Sequence, residues 1–359
     1  MELAAPSPPR SPWQWLYGAA HALRRRWHRG RAARLPRPVV SVGNLSWGGS
    51  GKTPMVAAIA AHLRDGGRRV AILSRGYGRR GGPGVRLVSD GEGPLLGPML
   101  AGDEPVLLAG DLPGVAVVVG ADRARAGRHA LERLGKAPDV FLLDDGFSHL
   151  ALERDLDLLL FPAADPFAGG RLLPGGRLRE PLASSARADA AILTGYGELD
   201  RTAAGAALAR ALRPYGFRGA GFAAGMAPEQ PRFVTTAPGP GQAGSGKPVP
   251  PGSRALLVSG IARPRSFRDT VERLGFPVAD HLVFPDHHEY PDASLAKIVR
   301  GFHESGATVV MATGKDRVKL QGRLELPLAE VPIRAAPAPE LFVWLDERLA
   351  EIAAGGSSR

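Results

Sequence analysis

The sequence predicts an α/β protein built on a parallel sheet, and three observations carry that expectation. A β-branched run, a glycine loop and an apolar-striped run follow one another over 39–63, VVSVGNLSWGGSGKTPMVAAIAAHL. Short apolar runs then alternate with helical patterns through most of the 359 residues, as expected of strands joined by crossover helices. The segments rich in glycine and charge follow the strand-like runs, where ligands gather in such sheets.

Taken in order, residues 1–37 hold eight arginines and one acid, Glu2. Trp13, Leu16, Ala20, Leu23 and Trp27 recur at three- and four-residue spacing and form one apolar helical face. Arg24, Arg25, Arg26 and Arg29 crowd its C-terminal half, where cations also favour the helix dipole. Such an amphipathic helix either lies on an anionic membrane surface or packs on the protein with its arginines in water.

Val39, Val40 and Val42 begin the first strand, bounded by Gly43. Gly48, Gly49 and Gly51 let the backbone turn with its N–H groups inward, around Ser50. Lys52 then suits β- and γ-phosphates, and the Thr53 hydroxyl suits Mg²⁺. Pro54 falls in the first helical turn, where a missing N–H costs little. Met55, Ala58, Ile59 and Leu63 supply the buried stripe. Ser46 occupies the first glycine position of the usual phosphate-loop pattern. A second glycine run, Gly241–Lys247, matches the glycines better but ends in Pro248, with no strand before it and no helix after. It reads as linker.

Further strands are expected at 69–73, 116–120, 139–143, 155–160 and 190–194, with a helix at 122–134 and a helical run at 105–109. The Pro/Gly-rich stretch 235–253 reads as a linker or long loop. Beyond it, strands at 255–259, 278–282 and 308–311 and helices at 266–274, 292–305 and 341–352 suggest a second, smaller α/β unit. The expected organisation is an N-terminal amphipathic helix (1–37), a P-loop NTPase-like domain (38–234), a linker (235–253), a smaller α/β domain (254–334) and a C-terminal helix and tail (335–359).

The net charge of +11 points to an anionic partner. Only six of the 46 basic residues are lysine, so biased composition explains part of it, and no motif supports nucleic acid. The absence of cysteine excludes disulfides and thiolate metal sites. No run approaches the ~20 apolar residues of a membrane span, and no signal-peptide core is present at the start.

A phosphate loop needs an acid at the end of a neighbouring strand to hold Mg²⁺, and Asp144 and Asp145 supply it. Gly102-Asp103-Glu104-Pro105 is less obvious; from spacing alone it reads as a helix N-cap before the helical run 105–109. Phe284-Pro-Asp-His-His-Glu-Tyr290 reads as a polar loop or as a functional one; its adjacent histidines lack the further ligands a zinc site needs. Arg171, Arg177 and Arg179 suit an anionic substrate or a transferring phosphoryl group, or are simply solvated.

Together these motifs resemble the tetraacyldisaccharide 4'-kinases of lipid A synthesis. The resemblance rests on Val42-Gly-Asn-Leu with Gly48–Pro54, Ser74-Arg-Gly-Tyr-Gly-Arg79, Gly102–Pro105, Leu143-Asp-Asp-Gly-Phe147 with His149, Leu173-Pro174 with Leu178-Arg-Glu-Pro181, and Phe284–His288. It implies a kinase that uses ATP and Mg²⁺ to phosphorylate the 4'-hydroxyl of an acylated disaccharide 1-phosphate lipid. It also implies a peripheral location on the cytoplasmic face of the inner membrane, against an anionic surface, without nucleic acid. The implied catalytic residues are Asp103, His287, Lys52 and Arg179. Gly48, Gly49, Ser50, Gly51, Lys52, Thr53 and Pro54 would bind nucleotide, and Thr53, Glu104, Asp144 and Asp145 would serve the metal. Asn44, Tyr77, Arg79, Arg123 and Arg171 would bind substrate. A sugar hydroxyl needs a base; Asp103 is expected to supply it, with His287 across a domain boundary either orienting it or holding the proton once it is transferred. Ser148 and Gly314 depart from the family's usual Gln and Glu, which puts side-chain contacts there in doubt. The competing expectation is a membrane-associated P-loop ATPase acting as a positioning switch. By resemblance such switches carry a lysine just before the Gly-Gly pair, where Trp47 stands here.

Overall fold

The structure, a computed structural model, describes residues 12–28, 30–195, 201–234 and 246–355. In chain order the elements begin α1 (Pro12–His28), β1 (Val39–Asn44), α2 (Lys52–Asp65), β2 (Val70–Ser74), β3 (Arg86–Ser89), α3 (Pro98–Ala101), α4 (Asp103–Asp111) and β4 (Ala116–Val119). They continue α5 (Arg123–Arg133), β5 (Val140–Asp144), β6 (Leu156–Pro162), β7 (Ala190–Thr194), α6 (Arg201–Leu212), β8 (Ala220–Pro228), β9 (Arg232–Phe233) and β10 (Ala255–Ser259). They close with α7 (Pro264–Arg273), β11 (Val278–Val283), α8 (Asp292–Ser305), β12 (Val309–Ala312), α9 (Gly314–Leu320), β13 (Leu328–Glu330), β14 (Ile333–Pro337) and α10 (Pro339–Ala353).

These elements form two compact units: Met1–Arg75 with Val118–Met226 and Ala335–Arg359, and Gly76–Val117 with Ala227–Arg334. In the first unit the strands run in the order β8-β7-β6-β1-β5-β2, and their pairings are parallel. β1 lies at the centre. All six of its residues are buried, because parallel strands with helices on both faces leave no wet side. The register sets Val42 beside Asp144, so the carboxyl end of β5 opens next to the glycine loop that follows β1.

In the second unit the strand order is β11-β10-β12-β13-β9. Two apolar clusters flank this sheet, one with Phe284, Tyr290 and Ile298, the other with Phe267, Val271 and Met311.

The unit boundaries differ from those expected of the sequence. Residues 76–117 group with the later unit, because α4 packs on α9 and Arg317 donates to Asp111 at 3.0 Å. α10 returns to the first unit: Asp346 accepts from His62 (2.8 Å) and from Arg68, and Phe342 stacks on His62. The second glycine run, Gly241–Lys247, lies largely outside the described residues. The chain just after it is not a free linker, since Val249 is 3% exposed within the second unit's core.

α1 has two working faces. Tyr17 packs against a core cluster, and His21 lies 3.4 Å from Glu180. Leu16, Leu23 and Trp27 are 62%, 70% and 63% exposed. The interfacial and the packed alternatives are therefore compatible. No helix among the described residues is long and apolar enough to cross a membrane.

Candidate active site

The first cluster follows from the strand–loop–helix geometry of the first unit. Gly48 and Gly51 have φ of 116° and 74°, conformations that favour glycine. A Cβ at Gly48 or Gly49 would meet nothing within 4 Å, so the loop surface is open there. Gly51 ends the loop as the N-cap of α2, and Lys52, Thr53 and Pro54 are that helix's first residues. An N-terminus of this kind presents backbone N–H groups and a positive dipole end to an anion. The buried Ser50 hydroxyl has no protein partner among the described residues, which leaves it available to a ligand oxygen.

Lys52 Nζ donates to Asn44 Oδ1 at 3.2 Å and lies 3.9 Å from Asp145 Oδ1. Arg179 donates to both oxygens of Asp145 at 3.0 Å and also to the Asn44 side chain. Asn44 in turn donates to the Ser46 carbonyl at 2.8 Å. Asn44 thus holds two cations at the phosphate loop, a role distinct from the substrate contact expected of it. Burial raises the Asp145 pKa, but the Lys52 charge, the Arg179 hydrogen bonds and Arg123 outweigh it and hold the carboxyl below its usual range. Asp144, at the end of β5, accepts from the Ser74 hydroxyl at 3.0 Å. Arg123 opens α5 and is 4% exposed. Burial, with Arg75 acting the same way, lowers its pKa to about 10 against the pull of Asp144 and Asp145.

Thr53, Asp144 and Asp145 each carry hard oxygen donors, the kind that suits Mg²⁺. Among the described residues no group of three His, Cys, Asp or Glu side chains forms a metal cage. A P-loop site does not need one, since phosphate and water oxygens complete the shell. Glu104 forms an ion pair with Lys315. Arg171 is exposed, and its carbonyl accepts from Leu178 N at 3.0 Å.

The second cluster lies wholly in the second unit. Asp103 is the first residue of α4; Gly102 holds the N-cap position and no side chain caps the helix. The capping alternative for Asp103 therefore falls. Its carboxylate instead takes His287 Nδ1 at 3.1 Å and Lys319 Nζ at 3.0 Å, both on Oδ2. The Asp103–His287 pair is preformed within one unit, and the expected split across a domain boundary is corrected: the segment 76–117 travels with the later unit. Gly102 is required at φ 95°, and a Cβ there would come within 2.9 Å of the Tyr77 carbonyl. The exposed Tyr77 ring sits 5.4 Å from the His287 ring. Arg79 donates to the Gly84 carbonyl at 2.7 Å. Burial raises the Asp103 pKa, but the His287 hydrogen bond and the Lys319 charge outweigh it. The same hydrogen bond raises His287, against burial and Lys315.

Sequence reasoning missed Lys319. The signal was the Thr313-Gly-Lys-Asp316 run, since Lys319 follows Asp316 at the three-residue spacing that shares a helix face. It also missed the Ser148–Glu180 contact, in which the hydroxyl at the family's usual Gln position donates to Glu180 at 2.7 Å. At the other departure, a Cβ on Gly314 would lie 2.7 Å from Glu330 Oε1 and 2.9 Å from Leu107 Cδ1. A side chain at this position would require those two flexible side-chain ends to shift.

The chain matches the family model for tetraacyldisaccharide-1-P 4'-kinase over residues 10–350. It belongs to this family. A tetraacyldisaccharide 4'-kinase of Syntrophus aciditrophicus is 40% identical over 329 residues, covering 86% of this chain and 83% of the relative. One from Anaeromyxobacter dehalogenans strain 2CP-C is 46% identical over 296 residues, covering 82% and 75%. A crystal structure of LpxK from Aquifex aeolicus in complex with ATP is similar at a TM-score of 0.71 and 33% identity, covering 94% of this chain and 98% of that one. The α/β fold with its parallel sheet agrees with that relative, and family membership places the phosphate-loop cluster in a kinase.

Proposed function

We propose that this chain transfers the γ-phosphoryl group of ATP to the 4'-hydroxyl of a tetraacylated disaccharide 1-phosphate in lipid A biosynthesis. The observation that carries the proposal is the Lys52–Asn44–Asp145–Arg179 network at the mouth of the glycine loop, in a chain that matches the kinase family over residues 10–350. Lys52 and Arg179 place two positive charges where charge develops on the phosphoryl oxygens. Gly48 to Gly51 bind phosphate through backbone N–H groups, with Ser50 adding a hydroxyl. Thr53, Asp144 and Asp145 would hold Mg²⁺, with Glu104 as a further candidate. Bound there, Mg²⁺ neutralises phosphate charge.

Asp103 accepts the proton of the attacking hydroxyl as the new O–P bond forms, and His287 orients it through Nδ1. The phosphoryl group leaves ADP in the same step. Tyr77, Arg79, Arg123 and Arg171 are the proposed contacts to the sugar and the 1-phosphate. The exposed apolar face of α1 (Leu16, Leu23, Trp27), with the arginines that follow, docks the enzyme on the cytoplasmic face of the inner membrane, where an acylated substrate resides. Lipid-dependent ATP consumption tests the proposal: it should require the disaccharide lipid and fail with Lys52→Ala. ATP turnover independent of lipid would contradict it.

A further inference from the structure

The Asp103 carboxylate carries two donors on one oxygen. His287 Nδ1 at 3.1 Å and Lys319 Nζ at 3.0 Å both reach Oδ2. Oδ1 accepts no hydrogen bond from the described residues. A carboxylate turns freely about its Cβ–Cγ bond unless an oxygen is held. Two donors from different elements, the loop after β11 and helix α9, fix this one.

Lys319 is itself fixed. Its side chain is 5% exposed, and Nζ lies 3.8 Å from Asp316 Oδ1 and 5.6 Å from the centre of the Tyr290 ring. Asp316 is fully buried and accepts from the Tyr290 hydroxyl at 2.8 Å, the Thr313 hydroxyl at 2.6 Å and Gly260 N at 3.0 Å. Tyr290 is held at φ 52° and packs edge-on against Phe284. A buried ammonium is costly unless well paired, and apolar residues of similar volume often stabilise a fold as well or better. Stability alone is therefore a weak reason for a lysine here.

We propose that Lys319 is a positioning residue for phosphoryl transfer: braced by Asp316 and Tyr290, it clamps Asp103 Oδ2 so that Oδ1 faces the substrate hydroxyl. This rests on Asp103 acting as the base. The proton moves from the sugar hydroxyl to Asp103 Oδ1, the hydroxyl oxygen bonds to the γ-phosphorus, and ADP departs with the electron pair of the broken bond. Lys319 exchanges no proton.

The test measures kcat and the KM for ATP in Lys319→Met, Lys319→Arg, Asp103→Ala and Lys319→Met/Asp103→Ala. A loosened base should cost about 10- to 100-fold in kcat with the KM for ATP unchanged. Lys319→Arg, which keeps the charge and the donors, should recover part of the loss. Adding Lys319→Met to Asp103→Ala should cost nothing further. If Lys319→Met melts at assay temperature, Lys319→Gln in the same two backgrounds replaces it. Multiplying losses, or a defect confined to KM, would overturn the positioning role. So would full kcat in Lys319→Met while Asp103→Ala is inactive. Full activity in Asp103→Ala would instead remove the base assignment on which the inference stands.

Discussion

Replacing Glu180 with Gln probes the buried carboxylate that follows Arg179 in the chain. Glu180 is 1% exposed and accepts from Ser148 at 2.7 Å and Arg187 at 2.6 Å, with His21 of α1 at 3.4 Å. Burial alone would raise its pKa, but His21, Arg187 and Ser148 bring it from 4.5 down to about 2. Because the folded pKa lies below the unfolded one, the stabilisation is fully present above the unfolded value and is lost as pH falls toward the folded value. At about 1.4 kcal/mol per unit, the displacement corresponds to about 3 kcal/mol at pH 7. Little discount for solvent screening is needed at this burial. Urea unfolding followed by tryptophan fluorescence reads the first unit, since Trp47 and Trp344 and the three tryptophans of α1 fall in its segments. Glu180→Gln should be about 3 kcal/mol less stable at pH 7. The gap should narrow by about 1.4 kcal/mol per pH unit below about 4.5. A gap that stays constant from pH 7 to pH 3.5 would refute the electrostatic account and leave only lost packing.

Three further outcomes follow from the same geometry. Lys52→Ala should lower kcat by about a hundredfold, the loss of one charge-stabilising group, whereas Lys247→Ala should leave initial rates unchanged. Asp103→Ala and His287→Ala should each lower kcat by about 10²- to 10⁴-fold, and the double variant should be scarcely worse than Asp103→Ala, because groups acting as a unit are non-additive. Leu23→Ser with Trp27→Ser should weaken sedimentation with anionic vesicles while leaving circular dichroism unchanged, since both side chains are exposed; unchanged sedimentation would assign α1 to packing alone.

The parts of the fold legible in the sequence are those set by local pattern. β1, β5, β6, β7, β10 and β12 are apolar or β-branched runs, and the glycine loop announces its own geometry. β8 was not legible because Ala220–Pro228, AGFAAGMAP, is built of small residues that pair beside β7 without a β-branched signal. The grouping of 76–117 with the later unit was invisible for a different reason. It depends on long-range pairs such as Asp103–Lys319 and Asp111–Arg317, and spacing along the chain carries no trace of them. At the candidate site, the motif residues were singled out in the sequence by their chemistry and by the family resemblance. Glu180 and Asp316 also sit in recognisable motifs, but their contacts, Glu180 with Ser148 and Arg187 and Asp316 with Lys319 next to Asp103, became apparent only once the chain was folded.

The central claim is transfer of phosphate onto the lipid. Incubating the full chain with γ-labelled ATP, Mg²⁺ and the disaccharide 1-phosphate in mixed micelles, then separating lipid from water-soluble products, measures it directly. The account predicts label on the lipid, in equal amount to the ADP formed and attached at the 4' position. Label recovered only as inorganic phosphate, with the lipid unlabelled while ATP is consumed, would contradict it and mark the chain as a membrane-associated ATPase switch.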